Sequence, residues 1–209
     1  MAKAYYEVLK EINELGIRIA YRTVHGGYRP LHWHDELEIL FPLNGDADIT
    51  IEGQKYKLLN KQILVIESGK IHSTYSYTKT HMFACIQISK RLMQKYMPNI
   101  ELYQIRCIPE LVSNEQFDHY MELCQMAADL TKLYIEESPT SLLESEGIVL
   151  QMLARLIKYF SSESPLTDIK NVNILNIERL KNVISYVDDN YMNPISLQDI
   201  SDYLGLGKE

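Results

Sequence analysis

The sequence predicts a mainly β barrel at the N-terminus, followed by α-helices and the start of a small all-α module. The first observation is a series of short β-branched and apolar segments between Ile17 and Ile88, separated by turn pairs such as Asn44-Gly45. Many short strands at near-regular spacing are typical of a sandwich or a barrel. The second observation is that apolar residues recur three and four positions apart after Ser89, which indicates amphipathic helices. The third is a capped helix near the C-terminus.

The composition describes a globular chain of 209 residues, of which 46% are hydrophobic and 23% are charged. Its formal charge of −7 argues against tight binding of nucleic acid by these residues alone, because phosphate recognition needs clustered Lys and Arg. No apolar run approaches the length of a membrane span, and the N-terminus contains no hydrophobic signal-peptide region. The three cysteines (Cys85, Cys107 and Cys124) lack CxxC spacing and suit a reducing compartment. We therefore expect a cytoplasmic protein without a membrane partner.

Four polar residues in the predicted barrel have the spacing of a shared site. His32, His34 and Glu38 share parity, so a strand that begins near Leu31 is expected to direct all three to one face. A second strand must bring His72 to them. Three imidazoles and a carboxylate suit a divalent transition metal, with Zn, Ni, Fe or Mn as candidates, or hydrogen bonding to a polar organic ligand. Both interpretations stay open, and no cofactor is certain.

Aromatic residues in the same strands are further candidates. Tyr21 and Tyr75 lie in strand-like segments and are expected to contact the ligand, because tyrosine combines an apolar body with a polar tip. Trp33 lies between the two histidines and is expected to face away from the site as an anchor of the outer core.

The histidine motif resembles a known signature. The segment Gly26-x5-His32-x-His34-x3-Glu38-x6-Gly45 is similar to the first signature of the cupin superfamily, and Glu67-Ser-Gly69-Lys-Ile-His72 is similar to a degraded second signature. The resemblance implies a double-stranded β-helix barrel over residues 1–108 that holds its ligand inside.

The helical region, residues 109–162, contains a wide apolar face. One side of such a face can pack on the barrel and the other on a second subunit, so we interpret the region as a dimerisation segment. The predicted homodimer stripe is formed by Leu142, Val149, Leu153, Leu156 and Phe160. A polar stretch at 163–176 then reads as a linker.

Residues 177–209 predict the first part of a helix-turn-helix. Ser196 is a plausible N-cap with the acidic Asp199 three positions later. Leu197, Ile200 and Leu204 give the apolar face of a short support helix, which a glycine-containing turn follows. The helix expected after this turn is missing, so the module is incomplete.

Taken in order, these pieces resemble an AraC-family transcription regulator. The resemblance implies a ligand-responsive, DNA-binding regulator whose barrel binds a small-molecule effector, such as a sugar or another metabolite. It implies operator DNA as a partner of the full-length protein, but not of this fragment. The alternative is a metal-dependent cupin enzyme, an oxygenase or an isomerase. The degraded second signature and the lack of an identifiable acid/base pair argue against catalysis, so we expect no enzyme.

Overall fold

The computed structural model describes residues 4–9, 13–25, 27–77, 80–163, 182–183, 186–187, 190–192 and 194–205. The chain divides into two compact units, residues 1–163 and residues 164–209. The first unit contains two packed sheets and three helices, so the predicted barrel followed by helices is confirmed. None of the helices in the described part is long and apolar enough to cross a membrane.

The first sheet has five strands in the order β1-β3-β8-β5-β6. Its strands are β1 (Tyr5–Tyr6), β3 (Tyr28–Trp33), β5 (Ala47–Ile51), β6 (Gln54–Leu58) and β8 (His72–Ser76). The β1–β3 pair is parallel, and the other pairs are antiparallel. The register places His32 directly opposite His72, which brings the two predicted signatures together.

The second sheet has four antiparallel strands in the order β2-β9-β4-β7. They are β2 (Ile17–His25), β4 (Leu37–Asn44), β7 (Leu64–Ile66) and β9 (Thr80–Ile88). Glu38 on β4 lies directly opposite Gln87 on β9. A short antiparallel pair, β10 (Tyr103–Ile105) and β11 (Ser161–Glu163), joins the start and end of the helical region.

Two apolar clusters stabilise this unit because alternate strand residues face opposite sides of each sheet. Residues such as Ile49, Leu58 and Phe83 form a cluster between the sheets. A larger cluster covers the outer face of the second sheet with three helices: α1 (Lys90–Tyr96), α2 (Phe117–Glu136) and α3 (Ser141–Phe160). Barrel and helices therefore share one core.

The predicted dimer stripe on α3 lies mostly inside this shared core. Val149, Leu153, Leu156 and Phe160 are each between 0% and 4% exposed in the single chain. They pack toward the barrel and α2, so these four side chains are not a surface for a second subunit, and that prediction is corrected. Leu142, at the start of the helix, is 68% exposed.

The second unit contains a short helix, α4 (Leu197–Tyr203), at the predicted support position. The Ser196 hydroxyl accepts a hydrogen bond from the Asp199 backbone N–H, and the Asp199 carboxylate accepts one from the Ser196 backbone N–H. This reciprocal capping box fixes where the helix begins. Leu197 is 87% exposed, and Ile200 and Leu204 are half-buried. The glycine turn that we expect after this helix lies in part outside the described residues.

Candidate ligand and metal site in the barrel

The four predicted ligands meet at the end of the barrel where the two sheets face each other. His32, His34, Glu38 and His72 are all at most 2% exposed. They do not lie on one strand, as the parity argument assumed. His32 lies on β3, His34 follows it in the turn at 34–36, and Glu38 lies on β4 of the other sheet. The turn carries the motif from one sheet to the other, and the side chains converge across the barrel.

Backbone carbonyls orient two of the imidazoles. His32 Nδ1 lies 2.9 Å from the Pro30 carbonyl oxygen, and His72 Nδ1 lies 2.8 Å from the Lys70 carbonyl oxygen. A carbonyl only accepts, so each Nδ1 carries the proton and each neutral ring keeps an unprotonated Nε2. Both Nε2 atoms are buried, and neither has a hydrogen-bond partner among the described residues. Buried polar atoms without partners need an explanation, and a bound ion or ligand is one.

Glu38 is the hub of the remaining contacts. Its Oε2 lies 3.1 Å from His34 Nε2, and its Oε1 lies 3.8 Å from His72 Nε2. The Gln87 side-chain amide donates a hydrogen bond to Glu38 Oε2. Arg18 in turn donates to the Gln87 carbonyl oxygen over 2.7 Å. A chain of contacts from the half-buried Arg18 through the buried Gln87 therefore holds the Glu38 carboxylate in place.

The protonation of the site follows from burial and from these contacts. Burial lowers the pKa of His32 to about 4, and it also lowers the pKa of His72. Burial acts in the same direction on His34, but the hydrogen bond and charge of Glu38 outweigh it and raise the pKa of that ring. The Glu38 pKa is held far below its ordinary value, because the His34 hydrogen bond and nearby positive charges overcome its burial. Neutral His32 and His72 with an ionised carboxylate are the forms that bind metals.

The three imidazoles have the geometry of a metal-ligand group. One nitrogen from each of His32, His34 and His72 can be chosen so that all three lie within 4.8 Å of one another. Ring centroids are 4.1 Å apart for His32 and His72, and 5.1 Å apart for His34 and His72. The two unpartnered Nε2 atoms, the backbone-oriented rings and the adjacent carboxylate fit a divalent transition metal.

Residues 4–9, which we call the N-terminal segment, pack against one side of the site. Tyr5 stacks on His32 with ring centroids 5.6 Å apart. The Glu7 carboxylate pairs with Arg29, lies 3.6 Å from Arg22 Nη1, and lies 3.6 Å from His32 Nε2. This part of the site is thus built from arginines and one carboxylate.

The two predicted tyrosine contacts lie elsewhere. Tyr21 faces the outside of the second sheet, donates a 3.0 Å hydrogen bond to the Leu130 carbonyl, and stacks on Tyr134 of α2. Tyr75 is 48% exposed, because it has the opposite parity to the buried His72 on β8. Neither contributes to the site. Trp33 is 7% exposed and packs on Tyr6.

Sequence reasoning missed five residues of the site: Glu7, Arg18, Arg22, Arg29 and Gln87. The signal for Gln87 was available, because it is a polar residue in the otherwise apolar strand Met82–Ile88 and shares parity with buried Phe83 and Cys85. Arg18 and Arg22 share parity on β2, but the sequence does not reveal which face of β2 points inward.

Fold and site together define a ligand-binding barrel with a buried histidine cluster. The sequence matches the family of AraC-like ligand binding domains over residues 14–153. The chain belongs to this family.

Two curated relatives from Bacillus subtilis (strain 168) carry a broader name. The "Uncharacterized HTH-type transcriptional regulator YbfI" is 24% identical over 180 residues, which cover 86% of this chain and 62% of that protein. The regulator YdeC, with the same description, is 24% identical over 188 residues, covering 84% of this chain and 60% of that protein. The chain thus spans about three fifths of the length of these relatives.

Solved structures with a similar fold are more distant. The cupin domain of Schizosaccharomyces pombe Cnp3 is 14% identical with a TM-score of 0.36, and the match covers 44% of this chain and 67% of that one. A mutant of Bacillus subtilis oxalate decarboxylase OxdC is 22% identical with a TM-score of 0.33, covering 35% of this chain and 21% of that one.

Proposed function

We propose that this chain is the effector-sensing part of a ligand-responsive, DNA-binding transcription regulator. The observation that carries the proposal is the buried His32, His34, Glu38 and His72 set, enclosed in a domain of the AraC-like ligand binding family. The names of the two curated relatives support a regulator. The cytoplasm, where operator DNA is found, remains the proposed location.

The sensing step requires a ligand whose affinity differs between two arrangements of the protein. In this proposal a small molecule enters the barrel and contacts the polar residues at its end. The DNA-binding domain, of which residues 177–209 form the beginning, then changes how it meets the operator. Operator binding belongs to the full-length protein.

We also propose that the site holds a divalent transition metal. His32 and His72 would bind it through Nε2, and His34 and Glu38 would complete the set. A bound metal would supply a positive charge and an open coordination position for an oxygen ligand. Gln87 would keep the Glu38 carboxylate oriented, and the carbonyls of residues 30 and 70 would keep both rings in the binding tautomer.

The first test is the metal content of purified protein, measured by elemental mass spectrometry. We expect close to one equivalent in the wild type and loss of it in a His34→Ala, His72→Ala double variant. His119→Ala is the matched control, because His119 lies on α2, where it stacks on Tyr159. Metal that stays bound in the double variant, or is absent from both proteins, would contradict the metal proposal and leave a polar organic site.

The second test addresses regulation with the full-length protein. A random DNA library selected on it should yield a recurrent operator sequence, whereas residues 1–209 should yield none. Loss of the effector response in the His34→Ala, His72→Ala variant, with unchanged affinity for DNA without effector, is the expected result. Full-length protein that selects no sequence would remove the regulator proposal.

A homodimer is part of the proposal, with a surface that shares only the exposed Leu142 with the stripe first predicted. Exposed apolar side chains cluster where α2 ends and α3 begins: Tyr134, Ile135, Leu142 and Leu143 are between 58% and 74% exposed. Burying such a patch favours association. Sedimentation of an Ile135→Glu, Leu143→Glu variant should give a monomer if this surface is used.

A metal-dependent oxygenase or isomerase is the second candidate function. Three imidazoles and one carboxylate match the donors of catalytic metal sites and leave a position for substrate. Oxygen uptake or sugar isomerisation by metal-loaded protein, abolished in His34→Ala, would replace the regulator proposal.

A further inference from the structure

Three arginines lie on the inner side of the barrel near the histidine cluster. Arg18 and Arg22 lie directly opposite Gln87 and Phe83 on the neighbouring strand, and Arg29 lies opposite Thr74. Phe83 belongs to the cluster between the sheets, and Gln87 contacts Glu38, so this face of β2 points inward. Arg18 contacts Gln87, and Arg22 and Arg29 both pair with Glu7. These contacts place the three arginines on the same side of the barrel.

This concentration of positive charge contrasts with the chain as a whole, whose formal charge is −7. Arg18 is held by Gln87, which links it to Glu38. Arg29 and Arg22 instead meet at Glu7, which follows the edge strand β1 in the N-terminal segment. Guanidinium groups enclosed by protein need an anion, and a carboxylate matches their planar donor geometry.

The ring beside this ion pair keeps an unpartnered nitrogen, the atom that the metal proposal also uses. His32 is 0% exposed, and its Nε2 has no hydrogen-bond partner among the described residues. That nitrogen is 3.6 Å from Glu7 Oε2, beyond hydrogen-bond distance. Nε2 of this neutral ring carries no proton and a carboxylate only accepts, so Glu7 satisfies the arginines but not the ring. A bound acid would likewise place its carboxylate on the arginines, and its contact with Nε2 would need a hydroxyl or another donor group.

We propose that the effector is a small organic acid, whose carboxylate takes the position of Glu7 on Arg29 and Arg22. This inference rests on the proposed sensing function and names the chemical class of its ligand. In the ligand-free protein Glu7 is an internal substitute that neutralises the arginines and competes with the acid. The remainder of the acid lies toward His32 and the histidine cluster.

Glu7→Ala tests this directly, because it removes the competing carboxylate. Acetate is the probe, since it reproduces the end of the Glu7 side chain, and acetamide is its neutral counterpart. Propionate and succinate with their amides extend the series. The readout is the fluorescence of Trp33, the single tryptophan, which packs on Tyr6 beside Glu7 with ring centroids 4.4 Å apart. Thermal unfolding gives a second readout. Metal-free protein and constant ionic strength isolate the arginines as the binding groups.

We expect saturable binding of the carboxylates to Glu7→Ala and about tenfold weaker binding to the wild type, whose own carboxylate competes at high effective concentration. The amides should not bind. A Glu7→Ala, Arg29→Gln double variant should lose the acetate response, and a Glu7→Ala, Arg29→Lys variant should keep a weaker one. Glu122→Ala is the matched control, because Glu122 also pairs with an arginine, Arg155, but on the helices. It should bind acetate no better than the wild type.

Three results would overturn the inference: no saturable carboxylate response in folded Glu7→Ala, equal binding of acetate and acetamide, or an acetate response that survives the loss of Arg29. A Trp33 response to neutral sugars with none to carboxylates would leave the sensing function standing and remove only the acidic effector. If neither class binds, the sensing function falls as well.

Discussion

Replacing Leu156 by alanine distinguishes an internal core from a dimer interface. Leu156 is 0% exposed in the single chain and belongs to the cluster that joins α3 to the second sheet. A buried leucine truncated to alanine costs about 2–5 kcal/mol, because apolar contacts are lost and a cavity remains. We expect Leu156→Ala to lower the free energy of unfolding by about 3 kcal/mol, whatever the oligomeric state. The melting temperature should fall by about 6–12 °C, given the scaling for a domain of this size.

Gln151→Ala is the matched control on the same helix. Gln151 is exposed and lies outside the proposed dimer surface, so its truncation should change the free energy of unfolding by less than about 0.5 kcal/mol. Urea unfolding followed by circular dichroism, at two protein concentrations about a hundredfold apart, measures both variants. A dimer contribution depends on concentration, whereas a core contribution does not. The reasoning fails if the two variants lose equal stability, or if the Leu156→Ala loss disappears in dilute solution.

Three further predictions concern the site and its connection to the helices. Gln87→Leu removes the amide that holds the Glu38 carboxylate, so we expect it to weaken metal binding about tenfold. Competition with a chelator measures the metal affinity, and an unchanged affinity would contradict the positioning role of Gln87. The metal-free protein should lose stability as the pH falls from 6.5 towards 4, because unfolded His32 takes up a proton that the folded ring, with a pKa of about 4, refuses. This proton uptake has no effect on stability above pH 6.5 and removes about 3 kcal/mol by about pH 4. A His32→Gln variant whose free energy of unfolding in urea falls as steeply over this pH range would contradict the prediction. Tyr120→Phe should lower the free energy of unfolding by about 1–2 kcal/mol, because the Tyr120 hydroxyl accepts a hydrogen bond from the Ile63 N–H and donates one to the Ile63 carbonyl. Equal stability of the variant and the wild type in urea unfolding would contradict this prediction.

The histidine site shows what residue spacing can predict about a binding site. The residue types and their order predicted that His32, His34, Glu38 and His72 meet, and they do meet. The reason given, a single strand with shared parity, was wrong, because the turn at 34–36 divides the motif between two sheets. The family pattern predicted the assembly better than strand geometry did, since the pattern reflects the folded barrel.

The apolar stripe on α3 shows what helical periodicity does not distinguish. An apolar face that packs inside its own chain and one that packs on a second copy have the same three- and four-residue spacing. Val149 and Leu153 satisfied both interpretations, and only the position of α3 on the second sheet decided between them. Tyr21 and Tyr75 failed for a related reason: alternation shows which residues share a face of a strand, but not which face lies inside.

The sequence alone determined the barrel-then-helix architecture, the capped helix at Ser196 and the identities of the four buried polar residues that meet in the barrel. These features depend on local alternation, capping residues and a motif of fixed spacing. The tertiary structure alone decided that Gln87 lies opposite Glu38, that Glu7 lies on Arg29, and that the α3 stripe faces inward. Each of these is a contact between residues distant along the chain. Such contacts depend on strand register and on which surfaces are covered, and no local pattern encodes either of them.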